Sequence, residues 1–89
     1  MKIDNTDNDI YKISGEISIF NISEFYDSLK KLVNKNKVYL DLSEVSSIDT
    51  SGVQVILSFK KTGIKYKKDF RIIKPSNEVK KTLKILGVM

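Results

Sequence analysis

Cysteine and histidine are both missing from this chain. Without cysteine there is no disulfide, no thiolate nucleophile and no cysteine-ligated metal. Without histidine the commonest general base and the commonest metal ligand are gone. An enzyme is therefore not expected, and neither is a cofactor. Long apolar runs are missing too. No N-terminal segment resembles a signal peptide, and no stretch approaches the roughly 18 apolar residues of a membrane span. The expected setting is reduced and cytoplasmic, with no membrane insertion. Arginine is nearly absent, with Arg71 its one representative.

What is present is an ordinary globular composition, 40% hydrophobic and 30% charged. Eighty-nine residues make one small domain, residues 1–89, whose core must use almost every apolar stretch. The net charge of +5 comes from 16 basic residues against 11 acidic ones. Nucleic-acid binders usually show arginine, with aromatics placed for stacking on bases. Here the lysines scatter as Lys30-Lys31, Lys60-Lys61, Lys65, Lys67-Lys68 and Lys80-Lys81, which reads as solvated helix faces and loops. Direct nucleic-acid binding is not expected.

The pattern along the chain is β-β-α-β-α-β-α. A short strand over Met1–Asp4 meets a dense turn signal, Asn5-Thr6-Asp7-Asn8-Asp9. A second strand alternates Ile10, Lys12 and Ser14 with Tyr11, Ile13 and Gly15, and Ile17 and Ile19 continue its apolar positions. Ile22, Phe25, Tyr26, Leu29, Leu32 and Val33 then form one helical stripe. Asn21 and Glu24 have capping-box spacing, and Phe20 and Phe25 have the spacing of a hydrophobic staple. Asn34 to Lys37 end that helix. Val38–Leu42 reads as a buried strand and Ser43–Ser47 as a connection with Val45 facing inward. A second helix runs from about Thr50 to Lys61 or Thr62, with Gly63 as its C′ residue. Tyr66–Ile73 forms a further strand, Pro75-Ser76 stops it, and a last helix carries Val79, Thr82, Leu83 and Leu86 before Gly87. Strands alternating with helices predict an α/β fold, a four-stranded mostly parallel or mixed sheet with helices packed on it.

Asp49, Thr50 and Ser51 sit where strand hands over to helix, and two roles fit them. A hydroxyl there caps the free N–H groups of the first helical turn, contributing on the order of 1 kcal/mol. Asp49 adds a favourable charge at the positive helix end, and Gly52 permits close approach of a neighbour. Alternatively, an exposed hydroxyl at this junction accepts a phosphate, with Asp49 repelling it and changing the charge that a partner meets. The following helix carries too many apolar positions for one stripe. If Val53, Ile56 and Leu57 face the sheet, Val55 and Phe59 are left partly exposed as a docking surface.

The run DLSEVSSIDTSGVQVILSFKK resembles the central signature of the STAS family, the domain of bacterial anti-sigma factor antagonists. That signature reads as an apolar strand, D-L-S, a short apolar connection, D-S/T-x-G and an apolar helix. ISGEISIFNISEFYDSL resembles the family's second strand, loop and first helix, and IIKPSNEVKKTLKILGV its strand-Pro-helix segment. The resemblance implies that Thr50 is the phosphoacceptor of a serine/threonine kinase that is also an anti-sigma factor. Ser51 is the alternative acceptor, and Asp49, Gly52 and Ser18 flank the site. The unphosphorylated form would capture the anti-sigma factor through Ser51, Gln54, Val55 and Phe59, and phosphorylation would weaken the capture by partner switching. Where the family loop commonly reads G-E-L-D, this chain has Gly15-Glu16-Ile17-Ser18, and its acceptor is Thr where the best-known members have Ser. Many relatives continue beyond the position of Met89 with another strand and helix. An alternative within the family is a non-switching subunit that binds the ATPase of a lipid-transport ABC assembly. A monomer or weak dimer is expected in either case.

Overall fold

The computed structural model describes residues 1–88. Its elements are β1 (Lys2–Asp7), β2 (Ile10–Ile17), α1 (Ile22–Lys30), β3 (Lys37–Ile48), α2 (Thr50–Lys65), β4 (Asp69–Ile73) and α3 (Asn77–Ile85). The expected α/β order is present in full. The four strands form one mixed sheet in the order β1-β2-β3-β4. β1 and β2 are antiparallel, joined by a tight turn in which the Asn5 carboxamide donates to the Ile10 carbonyl at 2.9 Å. β2, β3 and β4 run parallel, each linked to the next through a helix, the crossover that parallel strands need.

One face of the sheet, carrying Tyr11, Ile13, Val38 and Leu40, is buried with Phe25 and Leu29 of α1 and Val53, Ile56 and Phe59 of α2. The alternate positions hold a polar network instead. The Tyr39 hydroxyl donates to Asp69 at 2.7 Å, Arg71 donates to the same carboxylate at 2.6 Å, and Lys12 lies 3.5 Å from Glu44. α3 packs on β3 through Val79 and Leu83. The Ser76 hydroxyl caps α3 by accepting the Val79 amide at 3.2 Å and itself donates to the Val45 carbonyl at 2.8 Å.

Strand β3 is longer than Val38–Leu42. It absorbs the supposed Ser43–Ser47 connection and reaches Ile48. Opposite β2 it carries one extra residue between Asp41 and Glu44 and another between Val45 and Ser47. Each irregularity resets the side-chain alternation. Leu42, Val45 and Ile48 therefore all point inward at a spacing of three, which period-2 reading takes for a loop.

Three other expectations are corrected. Asn21 occupies the N-cap position of α1 without a side-chain cap bond, because its carboxamide turns back into the preceding loop. There it accepts the Ser18 amide at 2.9 Å and donates to the Glu16 carbonyl at 2.7 Å. The Phe20–Phe25 staple does not form: Phe25 is fully buried, whereas Phe20 is 95% exposed. Gly63 does not end α2, which runs one turn further. A Cβ at Gly63 would lie 2.9 Å from Phe70 Cβ, so this glycine lets helix and strand meet. The left-handed residue after α2 is Lys67, at φ 57°. The Lys68 amide bonds the Gly63 carbonyl and the Lys67 amide bonds that of Ile64, a Schellman closure. Gly87, at φ 72°, closes α3 in the same way, as expected.

Candidate functional site

The site forms where β3 passes into α2. Asp49 is extended, with φ −101° and ψ −177°, and its amide donates to the Ile17 carbonyl at 3.1 Å, carrying the parallel pairing one step past the strand end. Its own carbonyl accepts the Val53 amide at 3.1 Å, which starts the helix. The carboxylate does three jobs at once. Oδ1 accepts the Gly52 amide at 3.0 Å and the Ser51 hydroxyl at 2.5 Å. Oδ2 accepts the Ile19 amide at 2.9 Å. The Ser51 hydrogen bond, with the backbone amides of Gly52 and Ile19 behind it, holds the Asp49 carboxyl below the usual carboxylate range against the opposing effect of partial burial.

This arrangement separates the two hydroxyls. Ser51 is half-buried and committed to Asp49. Thr50, the first helical residue, is exposed, and no hydrogen-bond partner takes its hydroxyl among the described residues. The capping role is filled by Asp49, so Thr50 is not the cap that one reading of the sequence made it. Gly52 is buried under the sheet end, where a Cβ would lie 2.7 Å from both Ile17 Cγ2 and Ile48 Cγ1. The glycine brings the first turn of α2 down onto the strands.

Ser18 is buried, and its hydroxyl accepts the Phe20 amide at 3.3 Å within its own loop. Gln54, one turn after Thr50, is exposed. Val55 is half-buried in the crease between α1 and α2, beside Tyr26 and Leu29. Phe59 is a correction: it is 5% exposed, its ring stacked on Phe70 with centroids 4.3 Å apart and planes 5° from parallel. Val53, Ile56 and Phe59 form the inward stripe, and Leu57 is half-buried. Phe59 is therefore not on the surface that a partner would meet.

The structure adds residues to the site that sequence reasoning assigned elsewhere. Ile19 and Phe20 are 62% and 95% exposed in the loop that Asp49 grips. Asn21 braces that loop from the other side. The available signal was the apolar pair itself, which outruns the strand's last inward residue, Ile17. Among the described residues no group of three acidic side chains is placed to hold a metal ion. No helix among the described residues is long and apolar enough to cross a membrane.

Comparison with known proteins bears on the family and the fold. The family model for the STAS domain matches residues 1–89. A Thermotoga maritima protein assigned as an anti-sigma factor antagonist superimposes with a TM-score of 0.77 at 26% identity, over 98% of this chain and 78% of its own. An anti-sigma factor antagonist from Mycobacterium paratuberculosis gives 0.82 at 15% identity, over 98% and 78% of the two chains. The anti-sigma factor antagonist SpoIIAA in its unphosphorylated form gives 0.73 at 16% identity, over 98% and 80%. The phosphorylated form of SpoIIAA, from Bacillus, gives 0.66 at 16% identity, over 98% and 83%.

Proposed function

This chain belongs to the STAS domain family, and we propose that it is an anti-sigma factor antagonist switched by phosphorylation at Thr50. With Thr50 unmodified, the surface around the start of α2 captures an anti-sigma factor that is also a serine/threonine kinase. That partner transfers the γ-phosphoryl group of ATP to the Thr50 hydroxyl, with ADP and the hydroxyl proton leaving, and then dissociates from the modified chain. The chain itself acts as substrate and switch.

The observation that carries this reading is the division of labour at the junction. Asp49 caps the helix, which leaves the Thr50 hydroxyl exposed and free for an incoming enzyme. A phosphate there brings a charge of about −1.5 to −2. The helix N-terminus would ordinarily welcome an anion. Here the Gly52 amide is already taken by Asp49, whose carboxylate stays ionised. The added charge is thus placed beside a negative neighbour and stays largely uncompensated, changing the surface that the partner must cover.

The test is incubation with the purified anti-sigma factor kinase and ATP, followed by mass mapping. One phosphate on Thr50 is expected, lost in Thr50→Ala, with Thr50→Glu binding the partner weakly. A chain that forms no complex and gains no phosphate at Thr50 or Ser51 would overturn the reading.

A further inference from the structure

Ile19 and Phe20 stand out among the exposed residues because nothing about their loop is loose. Phe20, at 95% exposed, is more exposed than any other large apolar side chain described. The backbone beneath it is held at every step. Asn21 accepts the Ser18 amide at 2.9 Å and donates to the Glu16 carbonyl at 2.7 Å. Asp49 accepts the Ile19 amide at 2.9 Å, and Ser18 accepts the Phe20 amide at 3.3 Å. The Asn21 amide closes the turn on the Ser18 carbonyl at 3.0 Å. A single exposed apolar residue is ordinary. Two adjacent ones on a backbone pinned so that they cannot fold inward are not.

We propose that Phe20, flanked by Ile19, is the apolar anchor by which this chain docks into a pocket of the anti-sigma factor. The proposal rests on the function proposed above and names the recognition element of that same site. Phe20 meets the requirements of a binding hot spot: a large rigid aromatic, presented without a conformational search because its loop is already ordered. Its place selects the occupant. The Asp49 carboxylate that grips Ile19 through Oδ2 caps the helix bearing Thr50 through Oδ1. The loop and the helix turn that carries the acceptor hydroxyl are thus held together by one side chain, which sets Phe20 on the segment adjoining the surface where a partner would engage Thr50. Coupling follows from the same bond. Phosphate at Thr50 burdens Asp49, the residue that holds the anchor in position.

The chain has no tryptophan, so Phe20→Trp introduces a single reporter. In the free protein its emission is that of a solvated indole, fully open to iodide quenching. Adding the purified anti-sigma factor should shift the emission to the blue and protect it, with the wild-type complex as the blank. Phe20→Ala should lower affinity by about thirty-fold or more, as loss of a central aromatic anchor does, while leaving the thermal unfolding midpoint unchanged. If the wild type and Thr50→Ala bind, Thr50→Glu does not, and Phe20→Ala binds like the wild type, the docking proposal is overturned and the switch reading stands. If the wild type does not bind, both fall. If Phe20→Ala instead converts a self-associating chain to monomer with unchanged affinity for the anti-sigma factor, the patch joins copies of this chain and the proposal is wrong.

Discussion

The carboxylate of Asp49 accepts the backbone N–H of Ile19 at 2.9 Å, across thirty residues of sequence. The same carboxylate caps α2 through the Gly52 amide at 3.0 Å. One side chain thus joins the loop after β2 to the start of α2, and the geometry of the candidate site follows from that joint. Asp49→Ala should cost about 1 to 2 kcal/mol, the range of a lost N-cap, read as a lower urea midpoint with an unchanged slope. Asp49→Asn keeps acceptor oxygen and should cost less. In Asp49→Ala the Ile19 amide should also exchange its hydrogen faster, because its acceptor is gone.

Acid should act through the same residue. The Asp49 carboxyl titrates below its ordinary range because it accepts from Ser51, Gly52 and Ile19. A group whose folded pKa is depressed adds stability above its unfolded value, about 3.9 for Asp, and loses it as pH falls through the folded value. Asp69 shifts the same way, chiefly through the Tyr39 hydroxyl and then Arg71. Asp41 also ends below its usual value: burial raises it, and hydrogen bonds from Ser43 with nearby Lys12 and Lys74 outweigh that. Wild-type stability should therefore decline below about pH 4. The gap between wild type and Asp49→Asn isolates the Asp49 share. It should be full at neutral pH and narrow in that acid window.

Phe59→Ala should be severe. Phe59 is buried and stacked on Phe70, so truncation leaves a cavity between α2 and β4 and should cost about 3 to 5 kcal/mol. Equilibrium denaturation measures this directly. Had Phe59 been a surface docking residue, the same change would have been nearly neutral to stability.

Gly63→Ala tests the close approach of α2 to β4. On helix propensity alone alanine gains about 1 kcal/mol. The added methyl would sit 2.9 Å from Phe70 Cβ and 3.0 Å from its ring, so a net loss of about 1 to 2 kcal/mol is expected. A lower thermal midpoint checks the sign.

Lys67→Gly should stabilise. Lys67 holds the left-handed position that closes α2, at φ 57°, where a residue with a Cβ is disfavoured by about 1 kcal/mol. Removing that strain should raise the thermal midpoint by about 4 to 8 °C.

The element order, the mixed sheet, the junction at Asp49-Thr50-Ser51-Gly52 and most of the core could be read from the chain alone. Those features rest on local signals: apolar periodicity, turn chemistry and the D-T-S-G run. Local signals failed where a residue had two partners to choose between. Gly63 has the look of a helix terminator, yet it lies within α2 because Phe70 lies against it. Asn21 has the spacing of a capping box, yet its carboxamide is drawn to Ser18 and Glu16. Bulges opposite β2 hid the second half of β3 by changing its spacing from two to three.

Tertiary packing decided which side chains reach solvent at the site. Phe59, expected partly exposed, turns in against Phe70, and Phe20, expected in a staple with Phe25, turns out. The Ser51 hydroxyl was committed and the Thr50 hydroxyl left free by where one carboxylate came to rest. Sequence by itself determined that a hydroxyl pair would stand at a strand-to-helix junction, because strand, turn and helix preferences act over a few neighbouring residues. Which of the pair faces outward, and which apolar residue stands beside it, depended on contacts between residues thirty positions apart, which only the folded chain brings together.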